Sequence, residues 1–151
     1  MPRGMIVGTN HTSFTVRSLD RTIPFFVEVF DFALKSRATR DPKVIETITG
    51  VPGAEVDIAY LLGRDHVIEL IEYLAPADRR EFRLRPCDVG FAHIAFDVTD
   101  VEEVVAAAAA FAVFPIAPPL VNVKGGPNQG AVVAYLRMED GVTVEIIQRP
   151  R

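Results

Sequence analysis

The sequence predicts an α+β fold made of two tandem βαβββ copies. Three observations carry that expectation. The chain repeats itself once along its length. Most apolar windows are short, rich in β-branched residues and bounded by turn residues, as strands are. One helix signal follows the first strand of each copy.

The first strand of each copy begins at a histidine. His11-Thr12-Ser13-Phe14-Thr15-Val16 matches His93-Ile94-Ala95-Phe96-Asp97-Val98, with histidine, phenylalanine and valine in register. The helix of the first copy is expected over Asp20 to about Phe30, where Ile23, Phe26, Val27 and Phe30 recur at helical spacing. Pro24 should cost that helix a hydrogen bond or kink it, unless it falls in the first turn. In the second copy Asp100, with Glu103 three residues on, reads as a capping box ahead of Val104 to Phe111. Weaker strands follow at Ala33–Thr39 and Ala112–Ile116.

Each copy then closes on a hairpin. Asp57–Leu62 and His66–Tyr73 flank Gly63-Arg64-Asp65, and Ala131–Leu136 and Val142–Ile147 flank Glu139-Asp140-Gly141. Ala59-Tyr60-Leu61 recurs as Ala134-Tyr135-Leu136, and Val67 to Glu72 as Thr143 to Gln148. His11 precedes Glu69 by 58 positions and His93 precedes Glu145 by 52, so the first copy carries the longer middle loop. The organisation expected is a single domain over residues 1–151, with one module at about 6–74, a connector rich in charge and proline at about 75–90, and a second module at about 91–149. Neither half is expected to close its core alone.

Composition narrows the class of function. With 151 residues, 49% of them hydrophobic and 24% charged, the chain can bury a full core, which excludes a disordered, collagenous or disulfide-stapled protein. The net charge is −4 and the basic residues are scattered, so no footprint for nucleic acid or an anionic membrane is present. A small-molecule substrate is the partner expected. Cys87 is the one cysteine, which rules out an intrachain disulfide or a thiolate-rich zinc site and fits a cytoplasmic address. No apolar run approaches the roughly 18 residues of a membrane span, and Met1-Pro2-Arg3-Gly4 lacks the apolar core of a signal peptide.

Side chains alternate between the faces of a strand. Phe14 and Val16 therefore face away from His11, and Phe96 and Val98 belong to the face opposite His93. By the same parity Glu69 opposes Ile68 and Leu70, and Glu145 opposes Val144 and Ile146. Two imidazoles and two carboxylates thus point away from the layer that packs on helices. A lone strand histidine is as a rule a satisfied structural residue, and a lone strand glutamate marks a solvated face. Four such residues at equivalent positions of two copies are a different matter, because a pseudo-twofold axis would bring the pairs together. Two neutral imidazoles, two carboxylates and one divalent cation make a neutral set of the mixed nitrogen and oxygen type suited to Zn, Fe, Co, Ni or Mn.

These motifs, with Ile68-Glu69-Leu70-Ile71-Glu72 and Asp140-Gly141-Val142-Thr143-Val144-Glu145-Ile146-Ile147, resemble the vicinal oxygen chelate superfamily, also called the glyoxalase, bleomycin-resistance and extradiol dioxygenase superfamily. The match runs from His11 to Gln148. The resemblance implies paired βαβββ modules forming a curled, mostly antiparallel sheet around a metal site, with His11, Glu69, His93 and Glu145 as ligands of one divalent ion. Four protein ligands leave less room for dioxygen than the two-histidine, one-carboxylate pattern of extradiol enzymes. The set is similar to that of glyoxalase I and the metal-dependent epimerases. The reaction this implies is epimerisation or isomerisation of a small polar molecule: the metal polarises a carbonyl, and Glu145 or Glu69 removes and returns the neighbouring proton. Glyoxalase-type lyase chemistry and extradiol-type oxygenation are the alternatives, and a metal-free protein that sequesters a small molecule is the alternative of another class. The resemblance also implies a homodimer.

Other features are read more plainly. His66 is expected in a solvated turn and not as a ligand. Tyr60 and Tyr135 read as matched packing. Phe25, Phe26, Phe30 and Phe32 are too many aromatics for one small helix to bury inward and suggest an oligomer contact. Lys124 to Gly130 precedes a strand, which removes the phosphate-cradling reading and leaves a flap or an ordinary hairpin connection.

Overall fold

The computed structural model describes residues 4–151, so the reading of the first three residues lies outside them. The elements follow the expected order with one addition. Strand β1 (Thr12–Val16), helix α1 (Leu19–Phe30), β2 (Ala33–Thr39), helix α2 (Pro42–Thr49), β3 (Glu55–Leu62) and β4 (Val67–Ala75) form the first copy. The second comprises β5 (Ile94–Asp97), α3 (Val101–Ala109), β6 (Phe114–Pro115), β7 (Val132–Arg137) and β8 (Thr143–Gln148). The strands make two four-stranded mixed sheets, ordered β1-β4-β3-β2 and β5-β8-β7-β6. In each the first strand lies parallel to the last, and the remaining pairs are antiparallel. The chain divides into two compact units at Arg79/Arg80, within the segment expected as the connector.

In the first unit α1 covers one face of the sheet. Leu19, Phe25 and Phe26 are fully buried there, as are Ile68 and Leu70 of β4. Burial of each such side chain contributes about 1.5–3 kcal/mol. Pro24 is the sixth helical residue, beyond the first turn, so it withholds the amide that would bond to the Asp20 carbonyl while the helix runs on to Phe30. Asp31 then takes a left-handed conformation (φ 57°), and the Phe32 amide returns to the Phe26 carbonyl at 3.2 Å.

The expectation that the phenylalanines mark an oligomer contact is corrected. Phe25 and Phe26 are fully buried and Phe32 is 6% exposed, because the rings stack edge to face, Phe25 on Phe26 at 5.2 Å and Phe26 on Phe32 at 5.8 Å. The cluster reaches past the helix to the β3–β4 turn. A Cβ at Gly63 would stand 2.6 Å from the Phe32 ring. Gly63→Ala is therefore expected to destabilise the fold by about 1–3 kcal/mol through overpacking, read as a lower urea midpoint at unchanged slope.

Helix α2 was not anticipated. Its signals are local: the Asp41 side chain accepts a hydrogen bond from the Lys43 amide at 2.8 Å, Pro42 opens the helix, and Gly50 closes it at φ 68°. Its buried Ile45 packs with Ala54, Val56 and Ile58, and Tyr60 and Ile71 lie against this cluster. Helix α2 thus packs on the Val56–Ile58 end of the sheet, away from the residues that meet α1.

In the second unit α3 begins three residues earlier than the spacing suggested, and the Asp100 cap is as expected, accepting from the Glu103 amide at 3.0 Å. The repeat extends to a detail of capping. Glu72 of β4 accepts from the Leu19 amide at 2.8 Å, and its counterpart Gln148 of β8 accepts from the Val101 amide at 2.9 Å. No described helix is long and apolar enough to cross a membrane.

Candidate metal centre

Parallel pairing of the first and last strands places histidine beside glutamate in each unit. Ser13 lies opposite Glu69 in β1–β4, and Ala95 lies opposite Glu145 in β5–β8. Each histidine sits just before its strand, so its ring reaches the carboxylate one step along. His11 Nε2 stands 3.5 Å from Glu69 Oε1, and His93 Nε2 stands 2.9 Å from Glu145 Oε2. The imidazoles are each 29% exposed and the carboxylates 10% and 16%, so the pairs are shielded yet reachable.

Within the first unit the polar contacts fix the pair. His11 Nδ1 donates to Asn10 Oδ1 at 2.6 Å, with Nε2 turned toward Glu69. Glu69 is further held by Ser13 Oγ, donating at 2.8 Å, and by the Tyr60 hydroxyl, which donates to its other oxygen. That hydrogen bond and partial burial raise the Tyr60 phenol above its usual range, so it stays a neutral donor.

In the second unit the same positions carry a different set. Ala95 replaces Ser13 and offers no hydroxyl. The Tyr135 ring lies on His93, centroids 4.8 Å apart, and Phe91 flanks the imidazole at 5.9 Å. Burial, and then the charge of Glu145, raise the Tyr135 phenol. Among the described residues His93 is the hydrogen-bond partner of the Glu145 carboxylate. Glu145 also borders a cavity of about 460 Å³, with Tyr135 and Asn128 as its other polar lining side chains.

Each unit therefore presents one imidazole nitrogen and one carboxylate, the donor types of a mixed nitrogen and oxygen metal site. Among the described residues no group of three or more His, Cys, Asp or Glu side chains forms a metal-binding cluster.

The remaining readings divide. His66 is half-exposed at the turn before β4, and its Nε2 lies 2.7 Å from Thr12 Oγ1. Tyr60 is more than matched packing, since it holds Glu69. Asp97 is taken by Arg149 Nε at 3.0 Å. The segment from Lys124 to Gly130 closes as an ordered connection, with the Val123 amide on the Ala131 carbonyl at 3.0 Å and the Gly130 amide on the Val123 carbonyl at 2.8 Å.

Comparison with known proteins identifies the family. A curated relative, 2-epi-5-epi-valiolone epimerase from an Actinomyces species, is 32% identical over 155 residues, covering 95% of this chain and 80% of the relative. The crystal structure of a glyoxalase family protein from Bacillus cereus superposes with a TM-score of 0.81 at 24% identity, covering 98% of this chain and 97% of that one. A fosfomycin resistance protein from Listeria monocytogenes, complexed with Mn(II) and sulfate, superposes with a TM-score of 0.63 at 17% identity, covering 97% and 95% of the two chains. Residues 8–146 match the family model described as the Glyoxalase/Bleomycin resistance protein/Dioxygenase superfamily. With that match over most of its length, and a histidine and glutamate pair repeated in both units, the chain belongs to this superfamily.

Proposed function

We propose that this chain is a divalent-metal-dependent epimerase or isomerase, its two units acting as one domain, that moves a proton on the carbon beside a carbonyl of a small molecule with adjacent oxygens. The observation that carries the reading is the duplicated pairing of a histidine Nε2 with a carboxylate at equivalent strand positions. The epimerase activity in the name of the 32% identical relative, and the Mn(II) in the fosfomycin resistance protein, support it. His11, Glu69, His93 and Glu145 would hold one ion of Zn, Co, Ni, Mn or Fe, which when bound draws electron density from the substrate carbonyl and acidifies the neighbouring C–H.

The two glutamates have different tasks in this reading. Glu69, tied by Ser13 and Tyr60, keeps its position and serves as a fixed ligand. Glu145, with His93 as its partner and a cavity beside it, is free to turn, take the substrate proton on a carboxylate oxygen and return it to the same carbon. We assign the protein to the cytoplasm as a homodimer on its single cysteine and its family.

Metal-stripped protein dialysed against Mn(II) or Zn(II) is expected to retain about one ion per chain. In D₂O the loaded protein should speed deuterium exchange beside the carbonyl of 2-hydroxycyclohexanone, followed by NMR. Failure to retain an ion, or exchange no faster than in buffer, would refute the reading; ligand binding without exchange would point to sequestration.

A further inference from the structure

The two copies differ most on the face that carries the glutamates. In the first unit the surface beyond Glu69 is filled: Ile58 and Ile71 lie opposite each other on β3 and β4, and Ile45 of α2 packs there with Val51 and Ala54 of the segment that follows the helix. The counterpart of Ile58 in the repeat is Val133. There the second unit has no helix, only the connection from β6 to β7, and the space stays open as the 460 Å³ cavity beside Glu145. That volume is in the range of small-molecule sites.

The chemistry of the cavity wall is one-sided. Ile116, Pro118, Leu120, Val123 and Val133 supply apolar surface, and Leu120 and Ile116 are 60% and 41% exposed, far more than core residues of their type. Among the described residues none of those lining it is a lysine or arginine, and Glu145 is the one charged group.

From this asymmetry we infer that the second unit binds the apolar portion of the substrate, a short aliphatic chain or the hydrocarbon face of a small ring, with its adjacent oxygens turned toward the ion that Glu145 would hold. The inference deepens the proposed function and rests on it for the placement of the oxygens; the apolar wall stands on the cavity alone.

Two probe series separate the inference from the metal reading. Metal-stripped, ¹⁵N-labelled protein titrated with methyl ketones from 2-butanone to 2-octanone should show shifts concentrated in residues 116–135 and at Glu145. Affinity should rise about fourfold per added methylene until the cavity is full. Leu120→Ser, at an exposed position, should flatten that rise without altering the remaining spectrum. In parallel, calorimetry on Mn(II)-loaded protein should show hexanohydroxamate, which chelates through adjacent oxygens, binding more than tenfold tighter than acetohydroxamate. Ketone affinity independent of chain length, or shifts lying away from Pro86, residues 116–135 and Glu145, overturns the inference even if both hydroxamates bind. If neither hydroxamate binds while the ketone series stays steep, the metal reading falls and the apolar wall is upheld.

Discussion

Glu145→Gln is expected to slow metal-dependent exchange by about 10²–10⁴-fold, the range a positioned general base contributes. The amide preserves the shape of the side chain and keeps an oxygen for a metal, but it cannot accept the substrate proton at neutral pH. The loss should therefore appear in the rate per bound ion, measured by deuterium incorporation at saturating Mn(II), more than in the amount of ion retained. Glu69→Gln should behave in the opposite sense. Its carboxylate accepts from both Ser13 and Tyr60, and an amide presents only one acceptor oxygen to those two donors, so ion retention should fall first. An exchange rate per ion that collapses in Glu69→Gln and survives in Glu145→Gln would reverse the two assignments.

Tyr60→Phe should weaken divalent-ion affinity by about 10–100-fold, the usual effect of removing a hydrogen-bond partner that orients a metal-binding side chain. The tyrosine hydroxyl donates to Glu69 from the neighbouring strand, where Tyr60 and Glu69 are directly paired. Without it the carboxylate can rotate away from the His11 nitrogen. The matching substitution Tyr135→Phe should alter affinity far less, since the contact Tyr135 makes is that of its ring with His93, which phenylalanine retains. Isothermal titration of both variants with Mn(II) checks the difference. Equal losses would mean that the tyrosines act through packing, and that the hydroxyl on Glu69 has no orienting role.

Much of this arrangement was legible because it is repeated. The histidine and glutamate positions, the order of strands and the Asp100 cap follow from register between copies and from the period of two along a strand. What could not be read depends on departures from the repeat. Helix α2 is eight residues long and has no counterpart in the second copy, so its Asp41-Pro42 start and Gly50 stop stood without support from alignment. The burial of Phe32 depends on Gly63 leaving room, a contact between residues far apart in sequence. The different tethering of the two glutamates is written in Ser13 and Ala95. It acquires meaning only once the parallel pairing sets those residues opposite Glu69 and Glu145.

The parallel pairing also bears on when each histidine and glutamate can meet. Each histidine is carried by the first strand of its unit and each glutamate by the last, 52 positions later in the second unit, with a helix and a hairpin between. Hairpins such as β3–β4 close locally and early, whereas an opening strand must wait for the whole intervening chain to order before it can dock beside the closing one. An ion would thus meet a finished scaffold and act as a lock on the native state, raising the barrier to its opening, not as a seed around which the nascent polypeptide collapses.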